Sequence, residues 1–412
     1  MFGRKKGYKL FEVSSIELEY MVVHRSTLQV MPIVDRLLKD AAGEVATEMA
    51  HGDMIWSSEL PMHIFELRSA RPVKAIGKLR KKILAEVKAL NKALKKHDAM
   101  LLPTGSHPFM DPATQSQLWL HGKHEIYQLC HELFDCRTHS WSNICSATLE
   151  LPFANDDEFA RLHAAIRLLL PIIPALSASS PLLDGRFTGF LDSRMEAYLH
   201  AQEKHPDLMG SMIPEAVYTQ EDYYREIYGP IVKVLAQLDP ARILDHQYMN
   251  TRGAVPNFDR NTLQIRVIDT QECASADLAI AEFVSAVLKA LVSGRWVSSY
   301  VQRAWPETDL LGIFLQVIKD AGQTMIANRD YLLMFGLLKQ EQLQALKLWQ
   351  HLFVELYGDL GTECRQRIGH ILEHGSLANR LLKRIGRTPD HDRIVEVYQE
   401  LAGCLSKDEM FT

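Results

Sequence analysis

The sequence predicts an α+β fold, with a sheet in the first two thirds of the chain and a helical remainder. Three observations carry that expectation. Four segments alternate apolar residues with acids, amides or arginines, around residues 16–20, 64–68, 148–151 and 263–267. Residues 305–412 instead read as successive amphipathic helices with no strand signal. No P-loop and no G-x-G-x-x-G occurs, so a nucleotide would not sit in a Walker or Rossmann cradle.

Residues 14–23, SSIELEYMVV, hold the cleanest alternation. Ile16, Leu18 and Tyr20 share one strand face, Glu17 and Glu19 the other. At a rise of about 3.3 Å per residue the two acids stand roughly 7 Å apart at Cα. Burying them uncompensated is unfavourable, so either the face is wet or cations bridge the pair. An edge strand with a solvated acidic face is the plain alternative.

Residues 31–50 read as a helix. In HGDMIWSSELPMHIFELRSARP, residues 51–72, Pro61 separates Glu59 from a second alternating run. There Ile64, Glu66 and Arg68 share one face, and His63, Phe65 and Leu67 the other. An acid and an arginine projecting together near Glu17 and Glu19 point to a site, with a cross-strand salt bridge as the alternative. Residues 73–97 form a long helix whose apolar stripe runs from Ile76 through Ile83 to Leu94. Its other side is basic, with Lys74, Lys78 and Lys88 among others, and in an acidic protein that reads as a solvated face rather than a polyanion surface.

Residues 101–112, LLPTGSHPFMDP, read as a strand entering a turn-rich loop. His121, His124 and His131 follow at a spacing that matches no closed zinc ligand set. In NICSATLELPF, residues 143–153, Leu149 and Leu151 face one way, Thr148 and Glu150 the other. A helix over 156–170 leads to the loop ALSASSPLLDGRFTGFLDSR. Its Arg186 and Arg194 lie among Gly and Ser, a setting that suits an anionic group. The last convincing strand falls within residues 250–273, where Leu263, Ile265 and Val267 alternate with Gln264 and Arg266, and an apolar helix follows over 276–292.

With 412 residues, 47% of them hydrophobic, the chain can bury a large core. The expected organisation is a sheet domain over 1–300 with a helical region, 301–412, packed on it. A net charge of −5 and a pI near 6.4 argue against a nucleic-acid or membrane-surface binder. Arg4, Lys5, Lys6 and Lys9 precede no apolar stretch, so no secretory signal is expected. The most apolar window, 162–183, contains Arg167 and three prolines and cannot span a membrane. The six cysteines show no CxxC pair, which fits inert thiols in a reducing cytoplasm. The helix at 73–97 and the C-terminal helices are candidate faces for a homodimer.

These residues resemble the carboxylate-amine ligases of the glutamate-cysteine ligase type 2 family. The strand IELEY, the segment WSSELPMHIFELRS, the SHPF loop, the GRFTGFLDSR loop, the strand RVIDTQEC and the tail HGSLANRLLKRIGRTPD carry the likeness. It implies a glutamine-synthetase-like fold: a curved, largely antiparallel sheet whose concave polar face holds ATP and magnesium, with helices on the convex side. It also implies a reaction in which ATP phosphorylates a substrate carboxylate, typically the γ-carboxylate of glutamate, and an amine attacks the acyl phosphate. By this resemblance Glu17, Glu19, Glu59 and Glu66 are magnesium ligands. Arg186, Arg194 and Arg266 would bind substrate carboxylate or phosphate oxygens, with Arg68 and Arg252 as further contacts to the nucleotide. The implied partners are small amino acid and amine substrates.

Two positions depart from the family pattern. Thr148 stands where histidine is usual, and Gln264 where glutamate is usual, both beside the metals. Glu150 shares Thr148's strand face, so it is expected to restore the lost charge as a further metal ligand. Two readings follow: an active ligase, supported by the intact set of four acids, or a non-catalytic nucleotide- or partner-binding relative, supported by the two departures.

Overall fold

The alternation seen in the sequence builds one sheet. The computed structural model describes residues 7–412; Arg4, Lys5 and Lys6 lie outside the described residues. Strands β1 (Ser15–His24), β2 (Glu48–His51), β3 (Met54–Ser58), β4 (Ile64–Ser69), β5 (Ala99–Leu102) and β6 (Ala147–Pro152) come from the first part of the chain. After a small hairpin of β7 (Leu182–Leu183) and β8 (Arg186–Phe187), β9 (Ala254–Asn257) and β10 (Thr262–Ile265) complete the set. The eight-stranded sheet runs β2-β3-β4-β1-β6-β10-β9, with β5 extending the far end of β1. Every pairing in it is antiparallel.

Register follows burial. Ile16, Leu18, Tyr20, Phe65, Leu67, Leu149, Leu151, Leu263 and Ile265 all point into one apolar core. Because side chains alternate with a period of two, fixing that face places Glu17, Glu19, Glu66, Arg68, Thr148, Glu150, Gln264 and Arg266 on the opposite one. Helices cover the apolar side: Arg80–Leu94, Asp156–Leu169 and Ala274–Val292 contribute Ile83, Leu162 and Val287 to the same core. Helix Thr362–His374 lies along Ala274–Val292, and helix His391–Lys407 packs on β5 and on Arg80–Leu94.

The residues after that last helix are anchored. Asp408 accepts the Ser275 N–H at 2.9 Å, capping helix Ala274–Val292, and pairs with Arg80 at 2.6 Å. Arg380 donates to Glu272 and to the Phe411 carbonyl, each at 2.5 Å. Both partners of that ion pair are buried.

Three expectations change. The helix expected over 31–50 spans only Val34–Ala42, ends at Gly43 with φ +86°, and gives way to edge strand β2. The segment 250–273 holds two strands rather than one, because β9 was hidden by Pro256. In the helical tail a two-residue ladder pairs Met325–Ile326 with Leu343–Gln344. Among the described residues no helix is long and apolar enough to cross a membrane. The six cysteines are free, and all but Cys404 are buried.

Candidate active site

Two strands and one turn bring the acids together. Antiparallel pairing sets Glu19 of β1 opposite Glu66 of β4, and Glu17 opposite Arg68. Glu59 enters from the turn between β3 and β4. The result is a group of three, Glu19, Glu59 and Glu66, whose carboxylate oxygens lie within 4.8 Å of one another. Glu17 faces the same chamber two residues along β1, and opposite it on β6 stands Thr148.

The cluster sits where two cavities meet. A cleft of about 600 Å³ is bordered by Glu17, Glu59, Glu66, Arg68, Gln264 and Arg266. A chamber of about 260 Å³ shares those acids and adds Ser146, Thr148, Arg194 and Arg252. Arg68 and Arg266 share the sheet face of the acids, while Arg194 enters from helix Ser193–Lys204 and Arg252 from the segment just before β9.

The arginines are held rather than free. Arg194 is buried and pairs with Asp269 through its Nε, while its two Nη atoms reach the Arg266 carbonyl at 3.3 and 3.4 Å. Asp269 is fixed in turn by the Ser179 N–H and the Ser180 hydroxyl, each at 2.8 Å. A Cβ on Gly105 would fall 2.4 Å from that carboxylate, so only glycine leaves room for it. Arg252 donates its Nε to Glu215 at 2.5 Å and one Nη to Asn250 at 3.1 Å. Arg266 donates to Gln264 Oε1 at 2.8 Å and lines both cavities. Arg68 is committed to acids, with Glu48 at 2.6 Å and Glu66 at 3.3 Å.

Two residues singled out from the sequence stand apart. Glu150 lies outside the three-carboxylate group; it accepts the Thr262 hydroxyl at 2.6 Å and lines a neighbouring chamber with Glu17 and Arg68. Arg186 is exposed on the β7–β8 hairpin and borders neither cavity. The histidines near residue 121 do not converge. His121 meets Asp35 at 3.2 Å and His131 accepts the Cys136 N–H at 3.1 Å, and among the described residues the glutamate group alone could hold a metal.

Burial raises all four acids, and neighbouring carboxylates add to it at Glu17, Glu59 and Glu66. Burial, then Glu19, pushes the Glu59 carboxyl up to about 8, against a hydrogen bond with Glu66. Burial, then Glu150, pushes Glu17 up to about 7, opposed by Arg266 and Arg68. Glu66 is driven well above its ordinary value by burial and then by Glu59. Glu19 is raised by burial, although the Ser146 N–H at 2.6 Å and Arg194 favour its charged form. Acids so close and so poorly solvated ionise together only if a cation joins them. An all-oxygen donor set fits a hard divalent ion such as magnesium and not a zinc-type site.

Asp269, Glu215, Ser146 and Gly105 were not legible as site residues. Asp269 carried the one usable signal, an acid set just past an apolar strand in VIDTQEC.

The sequence pattern of glutamate-cysteine ligase family 2 (GCS2) matches residues 15–400. An uncharacterized protein of Archaeoglobus fulgidus is 28% identical over 382 residues, covering 92% of this chain and 95% of its own length. Glutamate–cysteine ligase from Francisella tularensis, solved in complex with AMP, superposes with a TM-score of 0.58 at 12% identity, covering 97% of this chain and 90% of that one. A bifunctional glutathione synthetase from Pasteurella multocida gives 0.54 at 9% identity, over 95% of this chain and 52% of its own. Fold and family together define an amide-bond-forming ligase built on a glutamine-synthetase-like sheet. The chain belongs to glutamate-cysteine ligase family 2.

Proposed function

We propose that the chain is an ATP- and magnesium-dependent carboxylate-amine ligase that activates the γ-carboxylate of glutamate and joins it to an amine. The observation that carries this reading is the carboxylate group Glu19, Glu59 and Glu66 lining one small chamber together with fixed arginines. The AMP in the Francisella ligase supports nucleotide use on the same fold.

In this reading Glu19, Glu59 and Glu66 hold the metal, with Glu17 beside them. Bound magnesium supplies charge neutralisation for the phosphates and for the developing oxyanion. Arg194 and Arg266 orient the anionic substrate group. Their N–H donors are fixed beforehand by Asp269 and Gln264, so little reorganisation is needed as charge shifts. A second reading, a non-catalytic nucleotide-binding relative, draws on Gln264 and Thr148, neutral side chains at positions facing the acids.

The experiment is phosphate release from ATP with magnesium and glutamate, against a panel of amino acids and amines, with a Glu17→Ala, Glu19→Ala variant as the blank. Amine-dependent release that vanishes in the variant supports the ligase and identifies the acceptor. ATP binding without release across the panel supports the second reading.

A further inference from the structure

A separate cavity of about 660 Å³ lies on the helical side of the sheet and shares no lining residue with the acid-lined chamber. Its apolar floor includes Phe11, Val13, Leu151, Ala286 and Leu356. Leu151 belongs to β6 and Val13 leads into β1, so the floor is the back of the strands whose front carries Glu17 and Glu150.

Lysines surround that floor. Lys74 and Lys78 come from the start of the basic stretch at 73–97, and Lys289 from helix Ala274–Val292. All three are exposed, and among the described residues none takes part in an ion pair. Of the three acids at the cavity, two are paired with arginines, and Glu282, which has no cation partner among the described residues, is held by a backbone donor. Glu363 is paired with Arg367 at 2.8 Å and Arg80 at 3.5 Å, and Asp359 with Arg295 at 3.9 Å. Glu282 accepts the Gly361 N–H at 2.7 Å. A positive rim over an apolar floor is therefore built into a chain whose net charge is −5.

We propose that this cavity binds a small amphipathic anion, with an aromatic or acyl body on the apolar floor and a phosphate, sulfonate or carboxylate at Lys74, Lys78 and Lys289. The volume falls within the range of ordinary ligand pockets, and a mostly apolar lining with a few convergent charges is the usual composition of such sites. The assignment does not depend on the ligase reading, because none of its residues faces the acids.

The test is a fluorescence titration of the full chain with anilinonaphthalene sulfonate, an aromatic anion that brightens in apolar surroundings. Wild type is compared with a Lys78→Glu, Lys289→Glu double variant, with Ala286→Trp to fill the floor, and with Glu19→Gln in the acid-lined chamber. One saturable site per chain is expected. Charge reversal at two lysines should weaken it about tenfold, Ala286→Trp should remove it, and Glu19→Gln should leave it intact. Circular dichroism checks folding, and the lysine variant decides if Ala286→Trp is misfolded, since both lysines are exposed. The proposal is overturned if no saturable site exists, if charge reversal leaves binding unchanged, or if Glu19→Gln abolishes it.

Discussion

Glu59→Gln should stabilise the metal-free protein at neutral pH. In the fold Glu59 holds its proton up to about 8, against an ordinary value of 4.5. Between those values the folded chain keeps a proton that the unfolded chain has released, so stability falls as pH rises. At about 1.4 kcal/mol per pH unit the full gap is worth about 5 kcal/mol, of which about 3 kcal/mol is already lost at pH 7. Glutamine imitates the protonated acid and does not titrate. The variant should therefore match wild type within about 1 kcal/mol at pH 5 and exceed it by about 3 kcal/mol at pH 7. Urea unfolding with EDTA present measures this, and the difference between the two proteins is the quantity to follow. Buried His63 and His107, held neutral with values near 4 and 3, weaken both proteins equally as pH falls below the imidazole range. Adding magnesium should raise the stability of wild type and not that of the variant. A variant less stable than wild type at pH 7 in chelator, or a difference that does not change with pH, would refute the electrostatic argument.

Three other expectations follow from the same wall of charges. Asp269→Asn strips Arg194 of its buried partner; amine-dependent phosphate release should collapse, urea unfolding should register a loss of about 3 kcal/mol or more, and calorimetry should still detect magnesium binding. Glu150→Gln should preserve magnesium binding, because Glu150 lies outside the three-carboxylate group, while the Glu17 carboxyl followed by NMR should titrate below about 7 once its neighbour is neutral. Arg186→Ala, at an exposed hairpin position outside both cavities, should change phosphate release by no more than about twofold, the scale of an ordinary surface substitution, whereas Arg266→Ala should abolish it.

Much of the sheet could be read from the chain because one face is buried and the other is not. At β1, β4, β6 and β10 that asymmetry leaves a two-residue rhythm, and the rhythm named Glu17, Glu19, Glu66, Thr148, Gln264 and Arg266 in the chamber. The signal failed where local chemistry contradicted the tertiary pairing. Pro256 broke the pattern of β9, which is tolerable because β9 is an edge strand. Glu48–His51 followed a helical run without a break strong enough to announce an edge strand. The supports of the arginines were hidden for another reason. Asp269 and Glu215 lie 75 and 37 residues from Arg194 and Arg252, so no spacing rule connects them. Arg186 shows the opposite failure: a loop with the right composition that the fold carries to the surface.

The anchored residues near Asp408 have a consequence for the order in which the molecule is made. Asp408 joins Arg80 across 328 positions and also finishes the first turn of helix Ala274–Val292. Arg380 ties Glu272, three residues past Asp269, to the carbonyl of Phe411. During synthesis the acids of β1 and β4 emerge early, yet the segment that braces Arg194 gains its last ties only when residues near 411 leave the ribosome. The emerging chain therefore carries a patch of crowded carboxylates before the segment behind Asp269 is fastened to the tail. Long-range closure of this kind slows folding, and a cation held by the crowded carboxylates during that interval would favour the completed sheet over its competitors.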